Sequence, residues 1–78
     1  MSDIESKIKN IMSSLFSIST DKITNKTSFN SVKKWDSLKH LEFIIALEKE
    51  FQIKFDADEI PTLINFEIIY STILSYFE

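Results

Sequence analysis

KKWDSLKHLEF, residues 33–43, is the stretch whose reading decides this chain. Asp36 has a short acceptor side chain of the kind that closes the free N–H groups at a helix start. The apolar residues that follow predict a helix over about 37–51. At about 100° per residue, Phe43, Leu47 and Phe51 share one sector, with Ile44 and His40 beside it. Leu38, Leu41 and Ile45 share a second sector, roughly opposite, bordered by Glu42, Glu48 and Lys49. One stripe is enough to hold a core. The second has two readings: a short neighbouring segment covers it, or it is an exposed apolar patch rimmed by charge that receives a partner or ligand. Ser37 stands at the end of that patch. A helix N-terminus offers unpaired N–H groups and a partial positive charge, which suit a phosphate ester at that serine.

Three further segments surround this helix. Ile4, Ile8, Ile11, Met12, Leu15 and Phe16 recur at steps of three and four, and Ser2 with Glu5 has capping-box spacing, so the chain opens with a helix. Residues 17–35 show no sustained period and are rich in serine, threonine, asparagine and lysine. They form a long connection, pinned to the helices by Ile18, Ile23, Phe29 and Val32. DADEI, residues 56–60, predicts a short helical turn with Asp56 and Glu59 at capping-box spacing and Pro61 just beyond. The last helix spans about 66–77, capped by Asn65, with Phe66, Ile69, Tyr70, Ile73, Leu74 and Phe77 as its buried stripe. FQIKF, residues 51–55, alternates but is short and has no pairing partner. The expected architecture is all-α: a four-helix bundle of three long helices and one short third helix, in a single domain over residues 1–78.

Composition narrows the function. Hydrophobic residues at 44% and charged residues at 27% describe a chain that folds, and 78 residues bury only about 60% of the surface of the unfolded chain. Without cysteine there is no disulfide and no thiolate metal site; without glycine there is no phosphate-cradling loop and no nucleophile elbow. The charged start SDIESKIKN is unlike a signal peptide, and no run of about 20 apolar residues exists, so a cytoplasmic protein without membrane insertion is expected. Residues 1–34 carry a balance of +3 and residues 35–78 a balance of −6. A weakly basic half without arginine makes a poor nucleic-acid surface, whereas the acidic half would attract a basic partner.

These residues resemble a stand-alone acyl carrier protein. The likeness runs through IESKIKNIM, ITNKTSF and DSLKHLEFIIALEKEF, and on to the isoleucine and tyrosine positions of the last helix. The resemblance implies that Ser37 is esterified by 4′-phosphopantetheine, taken from coenzyme A by a phosphopantetheinyl transferase (holo-carrier synthase) that needs magnesium. It implies no catalysis and no resident metal. The arm's thiol would carry an acyl group as a thioester, as a monomeric carrier, among acyl or aminoacyl ligase, synthase and transferase enzymes. By the same likeness Asp36 belongs to the surface those enzymes read, with Leu38, Leu41 and Ile45 as apolar docking positions and Glu42 and Glu48 as acidic ones. The chain departs from many relatives in having Lys34 and Trp35 before the aspartate, and Lys39 and Lys49 within the acidic helix. WDSLKHLEF is similar to carriers of specialised pathways, including surface glycan modification and secondary metabolism. Trp35 has two readings, a determinant of partner choice or a plug packing the loop on the bundle.

Three rivals stand beside this reading. An aminoacyl or peptidyl carrier differs in cargo. An unmodified helical interaction module would use the second stripe of the helix but has no need of Ser37. A hydrolase triad of Asp36, Ser37 and His40 fails because His40 points toward the core face and no oxyanion hole is indicated. Asp56, Asp58 and Glu59 lack the spacing of a calcium loop, and capping explains them better.

Overall fold

The computed structural model describes residues 3–77. Three α-helices make the frame: α1 (Asp3–Phe16), α2 (Ser37–Phe51) and α3 (Phe66–Tyr76). Single 3-10 turns at Thr20–Lys22 and Ile60–Thr62 lie in the two connections. Among the described residues there is no strand, and the one bridge pairs Ser28 with Asn65. The all-helical expectation holds. Ser2, the first half of the expected capping box on α1, lies outside the described residues.

Each helix buries the stripe its period dictates. Ile8, Met12 and Phe16 of α1 meet Phe43, Ile44, Leu47 and Phe51 of α2 and Phe66, Ile69 and Ile73 of α3 in one core. Trp35, Ile23, Phe55 and Leu63 join it from the connections. Each fully buried large apolar side chain contributes about 1.5–3 kcal/mol of transfer free energy. The long first connection is held down as expected. Ile23 is buried, Ile18, Phe29 and Val32 pack against the core, and backbone bonds from Phe29 N to Ile64 O (2.7 Å) and Phe66 N to Thr27 O (2.9 Å) tie it to the start of α3.

Two expectations need correction. The short third helix, expected over 56–60, is a 3-10 turn set further along the chain: residues 57–59 make a turn, and the 3-10 turn follows at Ile60–Thr62. Asp56 and Glu59 do form half of a capping box, Asp56 N donating to Glu59 Oε1 at 3.0 Å. The bonds that follow run three residues back, Thr62 N to Glu59 O and Leu63 N to Ile60 O. Pro61 stands inside this turn and has no N–H for an α-type bond, so the α register cannot propagate. The second correction is Phe77. Because α3 ends at Tyr76, Phe77 falls on the C-cap, largely exposed, with its ring edge against Phe51.

No residue here can use glycine's freedom, yet two sit in the left-handed region. Ser17 (φ 55°) follows the last residue of α1, and Gln52 (φ 54°) closes α2 with its N–H on Glu48 O. Both stand where a helix commonly exits through a glycine.

Candidate functional site

The head of α2 is built as the sequence predicts. Asp36 has extended backbone angles, its Oδ1 accepts the N–H of Lys39 at 2.9 Å, and its carbonyl accepts the N–H of His40 at 2.8 Å. Ser37 is the first helical residue and is exposed. Its hydroxyl therefore lies in the first turn, at the positive end of the helix dipole and open to solvent.

The two stripes of α2 separate cleanly. His40, Phe43, Ile44, Leu47 and Phe51 are buried, Leu47 with no exposed surface. Leu38 is 66% exposed, Leu41 53% and Ile45 52%. No segment of the described chain covers the second stripe, so the first of its two readings falls. At its rim Glu42 is paired with Lys39 Nζ at 3.4 Å, both side chains exposed enough for solvent to screen the pair. Glu48 also serves the fold: its Oε2 accepts the N–H of Phe55 at 3.0 Å and its carbonyl accepts the N–H of Ile53, closing the turn after α2. Ser37, Asp36, Leu38, Leu41, Glu42 and Ile45 thus lie together at the exposed side of α2, and Glu48 stands at its far end with one oxygen engaged.

Behind the site lies an aromatic cluster that the sequence left half read. Trp35 is 2% exposed, stacks on Phe16 with centroids 4.9 Å apart, and meets Phe43 edge-on at 5.7 Å. It is the plug, and its side chain is out of a partner's reach. Its indole N–H donates to His40 Nδ1 at 3.0 Å, and His40 Nε2 lies 2.9 Å from the carbonyl oxygen of Ile60. Indole nitrogen can only donate and a carbonyl can only accept, so His40 carries its hydrogen on Nε2. The triad is thereby removed as well: both imidazole nitrogens are committed away from Ser37.

Known proteins are similar to this chain in sequence. A family model described as phosphopantetheine attachment site matches residues 6–67. An acyl carrier protein of Buchnera aphidicola subsp. Schizaphis graminum is 39% identical over 66 residues, covering 81% of this chain and 84% of that protein. An acyl carrier protein of Buchnera aphidicola subsp. Baizongia pistaciae is 34% identical over 76 residues, 97% of each chain. The chain belongs to the acyl carrier protein family. Ser37, exposed at the first residue of α2, lies within the residues that the family model matches.

Two features of this acyl carrier fold escaped the sequence. Ile64 and Ile68 are exposed at the start of α3, four apart and out of phase with Phe66, Ile69 and Ile73. That phase difference was the available signal. A depression of about 290 Å³ lies along the α1–α2 seam between Asn10, Ile11, Ser14, Leu15 and Ala46. No helix of the described residues is long and apolar enough to cross a membrane, and no three of their His, Asp and Glu side chains converge as a metal site would require.

Proposed function

We propose that residues 1–78 act as a single carrier domain, with Ser37 bearing a covalent 4′-phosphopantetheine arm by which acyl groups pass between enzymes. The observation that carries this reading is Ser37 itself, exposed at the first residue of α2 beside an uncovered apolar patch, in a chain of this family. In the attachment step the Ser37 oxygen bonds to the pantetheine-side phosphorus of coenzyme A. The phosphoanhydride bond breaks, adenosine 3′,5′-bisphosphate leaves, and a base of the transferase takes the hydroxyl proton. The residues present fit the group. Asp36 holds its carboxylate on the N–H of Lys39, and the positive end of the helix dipole stabilises the added negative charge. Once attached, the arm supplies a thiol that the cysteine-free chain lacks and that holds an acyl group as a thioester.

The chain's own part is to be found and released. Leu38, Leu41 and Ile45 offer a small apolar contact, and Glu42 with the acidic C-terminal half steers basic partners over distance. Those partners are the transferase and the ligases, synthases and acyltransferases of a cytoplasmic pathway, and the carrier itself is monomeric and catalyses nothing. Intact mass spectrometry after incubation with coenzyme A, magnesium and a broad-specificity phosphopantetheinyl transferase tests the reading. One phosphopantetheine is expected on the native protein and none on Ser37→Ala; no gain on the native protein would overturn it. Loading assays with acyl and aminoacyl donors then separate an acyl from an aminoacyl carrier.

A further inference from the structure

We propose that Trp35 and His40 are positioning residues for the modification of Ser37, forming a hydrogen-bonded staple that fixes the angle at which the chain enters α2. The proposal rests on the reading of Ser37 given above. Trp35 precedes the N-cap and His40 is the fourth helical residue, the two positions at which a hydrophobic pair commonly sets a helix's entry angle. Here the pair is joined by a hydrogen bond, Trp35 Nε1 to His40 Nδ1 at 3.0 Å, between side chains 2% and 9% exposed. The backbone closes the same loop, with His40 N on Asp36 O at 2.8 Å. Ser37 lies inside that loop of residues 35–40. Its backbone is held at one side by a helix turn and at the other by an indole that Phe16, Phe29 and Phe43 keep in place. Asp36 cannot set the angle alone. The reciprocal half of a capping box needs a Glu or Gln at the third helical residue, and Lys39 stands there.

The second imidazole nitrogen extends the device. His40 Nε2 donates to the carbonyl of Ile60 at 2.9 Å, twenty residues away in the 3-10 turn before α3. This bond anchors the ring but does not touch the entry loop. The two bonds of His40 therefore have different consequences: the Nδ1 bond orients Ser37, and the Nε2 bond secures the connection between α2 and α3. Transfer to a serine hydroxyl depends on the attacking oxygen's placement, and a displacement of about 1 Å lowers such a rate by up to about 10²-fold.

Two half-mimics of histidine separate these roles. In His40→Asn the amide oxygen takes the place of Nδ1 and accepts from Trp35, while the bond to Ile60 is lost. In His40→Gln the amide nitrogen takes the place of Nε2 and donates to Ile60, while Trp35 loses its acceptor. Each variant lacks one hydrogen bond of His40, buried at Trp35 and part-buried at Ile60, so urea unfolding is expected to show the larger destabilisation in His40→Gln, and kcat is read under conditions where each variant is fully folded. Steady-state modification with coenzyme A, magnesium and the broad-specificity transferase is expected to differ. His40→Asn keeps the native kcat. His40→Gln loses on the order of tenfold or more in kcat, with KM unchanged because Leu38, Leu41 and Glu42 are intact. The emission of Trp35, the single tryptophan, shifts in His40→Gln and not in His40→Asn. Should His40→Gln fail to fold, Trp35→Phe keeps a ring against Phe16, removes the donor, and carries the same kcat expectation. Equal kcat in the variants, or losses that merely follow stability, would overturn the staple's role while leaving Ser37's intact. No modification of the native protein would overturn the reading of Ser37 and the staple's role with it.

Discussion

Truncating two leucines of the same helix, six residues apart, separates what α2 does for the fold from what it does for partners. Leu47 has no exposed surface, and Leu47→Ala removes apolar contacts while leaving a cavity in the core. Such changes cost about 2–5 kcal/mol. A chain of this length has a total stability of about 4–12 kcal/mol, so from about a sixth of it to the whole of it would be lost. With an m-value near 1 kcal/mol/M, the urea midpoint falls by about 2 M or more. Leu41 is already 53% exposed, and Leu41→Ala is expected to stay within about 0.5 kcal/mol of the native protein, helped by alanine's helix propensity. The functional ranking is the reverse. Leu41→Ala is expected to lose about 1–2 kcal/mol in kcat/KM for the transferase, roughly 5- to 30-fold, because a central apolar anchor of the proposed docking patch is gone. Leu47→Ala, assayed where it remains folded, keeps kcat/KM. Circular dichroism in urea and transferase kinetics measure both. If Leu41→Ala destabilised as much as Leu47→Ala, or left kcat/KM unchanged, the division of α2 into a core stripe and a partner stripe would be refuted.

Other consequences are more local. Ser17→Gly and Gln52→Gly release a left-handed strain of about 1–2 kcal/mol each, offset by about 0.4–1 kcal/mol of added freedom in the unfolded chain. Each raises stability by about 0.5–1 kcal/mol in thermal melts, and a fall in Tm would contradict the assignment. Asn65→Ala removes the acceptor for Ile68 N at 2.8 Å and lowers stability by about 1 kcal/mol in urea unfolding. Tyr76 donates its phenol hydrogen to Glu59, which pushes its pKa up from 10.0 to about 12. A raised folded pKa means that this contact stabilises fully below the unfolded value near 10 and is lost as pH rises through 12. Phenolate absorbance, compared with Tyr76→Phe, should show this late transition, and Glu59→Gln should move it back toward 10.

The parts legible in the sequence are those governed by local rules. Asp36 caps α2, Asn65 caps α3, and helical spacing sorted Phe43, Leu47 and Phe51 from Leu38, Leu41 and Ile45. What stayed hidden depends on groups brought together by the fold. The second partner of His40 is a backbone carbonyl at Ile60, which no side-chain pattern reveals. Glu48 read as a rim acid because its helical position borders the apolar patch, yet the chain reversal after Gln52 brings the N–H of Phe55 onto its carboxylate. Asp56 and Glu59 gave a true capping signal, but the missing N–H of Pro61 limits the outcome to a 3-10 turn.

Peptide mapping of the transferase-treated protein tests the proposal that Ser37 bears the arm. Trypsin cuts after Lys34 and Lys39, isolating Trp35–Lys39, WDSLK. Fragmentation of this peptide should place one added phosphopantetheine on Ser37 and none on the serines elsewhere. An unmodified WDSLK peptide, or an added mass on any other residue, would contradict the account.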